Sequence, residues 1–242
     1  MAELSGKIAL VTGGSRGIGR AIVEQLAANG ATIAFTYSNS KNEADSLVKT
    51  SDKIKAYQAD AANPNNMESL ATTIIKDFGG IDLLINNAGV FGESIIGATS
   101  KSDYEHMFNV NVGSVFALTN SLVPHMKAGS RIINISSCLG ERATGAGMSS
   151  YVASKFAVSG FTRGWAKDLG AKGILVNAVL PGPIDTEMNP DGSDYSEFQK
   201  AQTALGRYGK PDEIANVVAF LCGDGATFIT GATITVDGGW NA

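Results

Sequence analysis

Ile8-Ala9-Leu10-Val11-Thr12-Gly13-Gly14-Ser15-Arg16-Gly17-Ile18-Gly19 is the stretch on which the fold turns. A short apolar strand runs directly into a glycine-rich turn, and a helical segment follows from Gly19 to Asn29. The glycines stand where a backbone must turn tightly and come close to a pyrophosphate at a helix N-terminus, whose free N–H groups and dipole favour anions. A glycine cluster alone indicates no more than a tight turn. With a strand before it and a helix after it, the pattern reads as a dinucleotide-binding loop. Gly13, Gly17 and Gly19 nevertheless depart from the standard G-x-G-x-x-G spacing.

Outward from this loop, apolar runs alternate with longer amphipathic segments along the whole chain, the signature of βαβ units around a parallel sheet. Strands are expected at Ile8 to Val11, Thr32 to Tyr37, Ile54 to Ala59, Leu83 to Asn86, Arg131 to Ser136, Leu175 to Leu180 and Thr233 to Val236. Their short apolar cores suit strands buried on both faces. Helices are expected at Gly19 to Asn29, Lys41 to Thr50, Pro64 to Phe78, Ser102 to His125, Ser149 to Leu169 and Pro211 to Cys222. Pro64 and Pro211 fit the first helical turn, and Asn63 is placed to cap the first of these two helices. No linker interrupts the pattern, so residues 1–242 read as one α/β domain. The polar stretch Asn189 to Asp194 reads as a surface loop, part of a lid over about residues 187–203.

Composition narrows the function. A formal net charge of -4 provides no basic field for a nucleic acid polymer, and no run of about 18 apolar residues spans a bilayer. Met1 to Lys7 has no basic segment followed by a long apolar core, so no secretory signal is expected. The two cysteines, Cys138 and Cys222, lack metal-ligand spacing and fit a reducing cytoplasm without disulfides. His106 and His125 have no partner in sequence and read as surface or core residues.

Tyr151 and Lys155 are four residues apart in an expected helix, so phenol and ammonium share a face. A phenol titrating near ~10 must come down by roughly three units, ~4 kcal/mol, to exchange protons at neutral pH. A cation about 4 Å away at an effective dielectric near 20 supplies ~4 kcal/mol. A lone Y-x-x-x-K recurs by chance. Ser137 lies 14 residues upstream (151 − 137 = 14), just past an expected strand, and together with the glycine loop it makes the pair a candidate catalytic site. Ser136 is its rival, and strand alternation points the two serines to opposite sides.

Thr12 to Gly19, Asn86-Asn87-Ala88-Gly89, Asn111, Ser137, Tyr151-Val152-Ala153-Ser154-Lys155, Pro181-Gly182-Pro183-Ile184-Asp185-Thr186 and Asp237-Gly238-Gly239 together resemble the short-chain dehydrogenase/reductases over essentially the whole chain. The resemblance implies a doubly wound, Rossmann-type sheet of seven parallel strands with helices on both faces, a nicotinamide cofactor, and a homotetramer or homodimer. It also implies roles for single residues. Tyr151 resembles the general acid/base, Ser137 the residue that orients the carbonyl oxygen, and Lys155 the one that lowers the tyrosine pKa and bonds the nicotinamide ribose. Asn111 resembles the residue holding a water that links Lys155 to solvent. Gly13, Ser15, Arg16, Gly17, Ile18 and Gly19 resemble the phosphate loop. Asp60 resembles the adenine contact, Asn87, Ala88 and Gly89 the turn supporting the cofactor, and Pro181, Gly182, Ile184 and Thr186 the segment that holds the carboxamide.

The end of the second strand, Phe35-Thr36-Tyr37-Ser38-Asn39-Ser40-Lys41, carries no carboxylate to bond a ribose 2′-hydroxyl. Tyr37 and Ser38 therefore border a site in which Arg16, Ser38 and Lys41 can meet a 2′-phosphate, favouring NADP(H) over NAD(H). The substrate is expected to be a small carbonyl compound or alcohol, held by a largely apolar wall that includes Phe91, Cys138, Met148 and Met188. Glu141 and Arg142 interrupt that wall, reading a polar substrate group or pairing with each other. The chain thus reads as an NADP(H)-dependent oxidoreductase interconverting a ketone and a secondary alcohol. Phe35-Thr36-Tyr37, Val90 to Glu93, Gly147-Met148 and Pro183 to Thr186 also resemble a cyclic di-GMP-binding branch, which adds a regulatory reading. A third reading, 3-oxoacyl-carrier-protein reduction, shares the core motifs but needs a basic patch, for which Lys127, Arg131 and Arg163 are the candidates.

Overall fold

The computed structural model describes residues 3–242, so Met1 and Ala2, the start of the segment read for a leader, lie outside the described residues. The elements run in chain order β1 (Ile8–Val11), α1 (Gly17–Ala28), β2 (Thr32–Tyr37), α2 (Lys41–Val48), β3 (Ile54–Gln58), α3 (Pro64–Phe78), β4 (Leu83–Asn86), α4 (Lys101–Phe108), α5 (Ser114–Leu122), β5 (Arg131–Ile135), α6 (Ser149–Leu169), β6 (Leu175–Pro181), α7 (Ser196–Gln202), α8 (Pro211–Cys222) and β7 (Thr233–Val236). All seven strands pair parallel in the order β3-β2-β1-β4-β5-β6-β7.

Strand alternation divides the core into two layers. Ala9, Val11, Ile33, Phe35, Ile85, Ile133 and Val179 face α1, α2 and α8, whereas Leu10, Ala34, Leu84, Ile132 and Val176 face α3, α5 and α6. The expectation that every strand is buried on both faces holds for the central strands and fails at the edges. In β3 only Ile54 is buried, and no residue of β7 is, because an edge strand has a neighbour on one side alone. No helix among the described residues is long and apolar enough to cross a membrane.

Asn63 accepts from Asn65 N–H, with Pro64 in the first turn, and Gly79 ends α3 in the left-handed conformation, so both ends of that helix are locally encoded. The single helix expected from Ser102 to His125 is instead interrupted. A π-helical turn, Asn109–Gly113, separates α4 from α5, and Pro124 sits in a closing 3-10 turn. The wider turn swings Asn111 inward, where its side chain bonds the backbone of Val90. The order of strands reverses between β1 and β4. Their carboxyl ends therefore open a crevice at the topological switch point, where ligands of doubly wound sheets bind.

Candidate active site

The glycine loop leaves β1 and meets the turn after β4. Thr12 Oγ1 accepts from the N–H groups of Asn87 and Ala88, both at 2.9 Å. Asn87 Nδ2 returns bonds to the carbonyls of Thr12 (2.9 Å) and Gly13 (3.1 Å). Asn87 is thus spent on the backbone, and its contribution is to hold two turns together. A side chain at Gly19 would overlap the Gly13 carbonyl, and one at Gly14 would lie 2.7 Å from Phe35 Cβ. Gly17 has φ +52°, a conformation that favours glycine. No side chain caps α1, so its first N–H groups face the loop unclaimed by a cap. Ser15 is buried, Ile18 packs on the core, and Arg16 is exposed at the loop's tip.

Beyond the ends of β2 and β3 lies a cavity of about 560 Å³ lined by Ser38, Asn39, Asp60, Asn66 and Ser69 among others. Tyr37 packs against the core at its border. One carboxylate oxygen of Asp60 accepts from Ala62 N–H at 2.9 Å, closing a local turn. Lys41, one of the three groups expected around a 2′-phosphate, is engaged by Asp45 at 2.6 Å. That i,i+4 pairing is fixed by α2 itself, whereas Arg16 has no ion pair among the described residues.

On the far side of the crevice, α6 brings Tyr151 and Lys155 beside the end of β5. Lys155 is buried. Its Nζ donates to the carbonyl of Ile135 at 3.2 Å and lies 5.7 Å from the Tyr151 ring centroid. A Cβ at Gly89 would sit 3.4 Å from that nitrogen and from Asn111 Oδ1, so the bare glycine keeps space open in front of the ammonium. Burial pushes Lys155 down to about 8 and Tyr151 up to about 12; the Ser137 hydroxyl is the group that pulls the phenol back. This reverses the expected direction for Tyr151. The ammonium lies over the ring, 5.7 Å from its centroid, and desolvation of the buried phenol sets the direction.

The two serines separate as alternation requires. Ser136 Oγ donates to the Lys155 carbonyl at 2.9 Å, behind the site, and Ser137 faces the phenol. Asn111 accepts from Val90 N–H at 2.8 Å and donates to Val90 O and Ser154 Oγ, both at 3.0 Å. Ser154, to which the sequence assigned no role, also donates to the Tyr151 carbonyl at 2.7 Å, so Asn111 braces the first turn of the tyrosine helix.

The expected substrate wall is only partly assembled. The Phe91 ring packs edge-on against Tyr151, 5.0 Å between centroids. Ser94 N–H donates to the Gly147 carbonyl at 2.8 Å, joining the Phe91 segment to the Met148 segment. Met188 is exposed, as are Tyr195, which precedes α7, and Phe198 within that helix, an element not expected from the sequence. Cys138 is buried with its thiol pushed up to about 12, so it is a packing residue. Glu141 is not paired with Arg142. Its carboxylate accepts from Thr233 (3.0 Å) and Thr235 (3.3 Å) of β7, turned to the sheet edge. Pro181 ends β6, and Gly182 beyond it is held against Asp237 so closely that a Cβ would lie 2.6 Å from its Cα. Ile184 is buried, its side chain within 2.6 Å of where a Cβ on Gly209 would be. Thr186 Cγ2 lies 3.3 Å from the corresponding position of Gly17, bringing the start of the segment expected to form a lid to the glycine loop.

A family model described as enoyl-(acyl carrier protein) reductase matches residues 13–241. The chain belongs to the short-chain dehydrogenase/reductase family. Among its curated relatives, the cyclic-di-GMP-binding biofilm dispersal mediator protein of Escherichia coli K12 is 37% identical over 100% of both chains. The 3-oxoacyl-[acyl-carrier-protein] reductase FabG of the same strain is 40% identical over 98% of each. A blue fluorescent protein from a metagenomic library, solved with NADPH, superposes with a TM-score of 0.97 at 47% identity, covering 99% of this chain and 100% of that one. Within this short-chain dehydrogenase/reductase, the glycine loop meets the turn after β4, and Gly89 of that turn meets Lys155 and Asn111, so these segments come together beyond the ends of β1, β4 and β5.

Proposed function

We propose that this chain is an NADP(H)-dependent oxidoreductase that interconverts a ketone and a secondary alcohol, with Tyr151 as general acid/base. The observation that carries the reading is the meeting of Ser137, Tyr151 and buried Lys155 beside a glycine cradle. The cradle fits a dinucleotide, because the bare Gly19 lets the loop fold tightly on the Gly13 carbonyl at a helix N-terminus that no side chain caps. Gly13, Ser15, Arg16, Gly17, Ile18 and Gly19 would hold the phosphates, Tyr37, Ser38 and Asp60 the adenosine end, and Asn87, Ala88, Gly89, Pro181, Gly182, Ile184 and Thr186 the nicotinamide half. When bound, the cofactor supplies or accepts the hydride.

The chain's own residues manage the proton. A phenol at about 12 is fully protonated at neutral pH, which is the acid form needed for ketone reduction. Tyr151 gives that proton to the carbonyl oxygen while Ser137 hydrogen-bonds the same oxygen, so negative charge never accumulates there. In alcohol oxidation Tyr151 takes the proton back, with the Lys155 ammonium stabilising the phenolate. Lys155 Nζ has used one donor on Ile135 and keeps two for ribose hydroxyls. Asn111 holds the Val90 turn and α6 in register, and it would hold the water that connects Lys155 to solvent.

Phe91, Met148, Met188, Tyr195 and Phe198 support an apolar carbonyl substrate beneath a lid over about residues 187–203. For acyl-carrier docking, Arg131 falls away, because it is buried and bonded to the carbonyls of Gly129 and Ser130. The relationship to the biofilm dispersal mediator keeps cyclic di-GMP binding as the second reading. Exposed Phe116 and Phe156, with Phe161 stacked on Trp165 at 4.8 Å, support self-association of α5 and α6 into a homotetramer or homodimer. Two buried free thiols support a cytoplasmic setting. The test is NADPH oxidation against aryl ketones, β-ketoesters and acyl thioesters, with cyclic di-GMP binding measured alongside. Turnover of a ketone supports the proposal; cyclic di-GMP binding without any turnover overturns it.

A further inference from the structure

We propose that Asn241, on the turn that follows β7, is a positioning residue that sets the hydroxyl of Ser137. Asn241 does not touch Ser137. Its Nδ2 donates to the carbonyl oxygen of Cys138 at 2.7 Å. That carbonyl belongs to the same peptide unit as the Leu139 N–H, which donates to Ser137 Oγ at 3.1 Å. A peptide unit is planar and trans, so its C=O and N–H point in opposite directions and rotate together. Fixing the carbonyl therefore fixes the N–H that occupies one acceptor site of the serine oxygen. With that site filled, the serine proton and its second lone pair are left for Tyr151 and the substrate oxygen. The Glu141 N–H also reaches the Cys138 carbonyl, at 3.3 Å, as a longer second bond.

The turn carrying Asn241 is itself rigidly built. Asp237 accepts from Gly239 N–H and Asn241 N–H, both at 2.9 Å. Leu205 N–H donates to the Gly238 carbonyl at 3.1 Å, and a Cβ at Gly239 would lie 2.7 Å from that of Ala204. On the opposite side of the serine turn, Gly140 packs on α6 so closely that a Cβ would lie 3.1 Å from the Lys155 carbonyl. The peptide between Cys138 and Leu139 is thus clamped between the turn after β7 and the helix that carries Tyr151 and Lys155. Nothing in the sequence spacing announces this, because Asn241 and Cys138 are 103 residues apart.

The inference rests on the proposed role of Ser137 and Tyr151, and its test separates the two. Asn241→Ala and Asn241→Asp are compared with wild type and with Tyr151→Phe. The expected result for both Asn241 variants is kcat lowered about tenfold, with the Kd for NADPH and the melting temperature close to wild type. Because Ser137 is what draws the phenol down, the rise of alcohol-oxidation kcat with pH is expected to move to higher pH. A purely structural role does not move that limb. Asn241→Ser, which keeps a short donor, is expected to recover part of the loss, and it replaces Asn241→Asp if that variant misfolds. Hydrogen exchange at Leu139, expected to quicken in Asn241→Ala, reads the clamp without turnover. Silent Asn241 variants beside an inactive Tyr151→Phe overturn this inference alone; a Tyr151→Phe that turns over normally overturns both.

Discussion

Replacing Lys155 with methionine is expected to make the free protein more stable while removing its turnover. Burial holds the Lys155 ammonium at about 8, against an ordinary value of 10.5. At pH 7 both the folded and unfolded chains carry the charge, and the gap corresponds to a folding cost of roughly 3 kcal/mol. The bond from Nζ to the Ile135 carbonyl offsets about 1 kcal/mol of this, so the apolar isostere is expected to gain ~2 kcal/mol net. For a domain of this size that is a rise in Tm of roughly 4 to 8 °C. The sign with pH follows from the lowered value. Below 8 the cost is present in full; between 8 and 10.5 the folded wild type releases its proton first and its stability rises; above 10.5 the difference is gone. Thermal melts of wild type and Lys155→Met without cofactor, at neutral pH and near pH 10, measure this directly. A variant less stable than wild type at neutral pH, or an advantage that does not shrink toward pH 10, refutes the reasoning. Turnover is expected to fall by at least ~10²-fold, the lower range for acid–base catalysis.

Other consequences concern cofactor and surface. Gly19→Ala is expected to abolish NADPH binding measured by nucleotide fluorescence, since its methyl overlaps the Gly13 carbonyl; retained affinity would show that the loop is not the phosphate site. Arg16→Ala is expected to raise the KM for NADPH at least tenfold and leave that for NADH near wild type, whereas Lys41→Ala has a smaller effect because Asp45 already holds that ammonium. Equal effects on both coenzymes would dissolve the 2′-phosphate argument. Glu213 is held down at about 2, first by the Arg207 guanidinium, which binds it with two 2.8 Å bonds, and then by Lys210 N–H. Because the pair is part exposed, Glu213→Gln is expected to cost only ~1 kcal/mol at pH 7. That difference persists down to 4.5 and is lost as pH falls to about 2, which acid-range melts can follow.

What the sequence made legible was local. The Gly13 to Gly19 loop, the Asn63-Pro64 cap and the Tyr151–Lys155 spacing are each encoded within a few residues, and the turn after β4 joins the loop to the pair. What it hid depends on neighbours distant in sequence. The edge positions of β3 and β7 follow from sheet order, and Glu141 bonds threonines 92 and 94 residues away. The π-helical turn at Asn111 is decided by Val90 and Ser154. The segment of α7, Ser-Glu-Phe-Gln-Lys-Ala-Gln, carries too few apolar residues to announce a helix by period. Tyr151 shifts upward, against the expectation from its spacing to Lys155, because spacing gives proximity and says nothing of desolvation.

The central claim is that Tyr151 passes the proton while the cofactor passes the hydride. Single-turnover oxidation of bound NADPH by the best ketone of the panel, for wild type and Tyr151→Phe at saturating cofactor, tests it most directly. The account predicts equal NADPH affinity and a chemical step slower by at least ~10²-fold in the variant. A Tyr151→Phe protein that oxidises NADPH at the wild-type rate would contradict it.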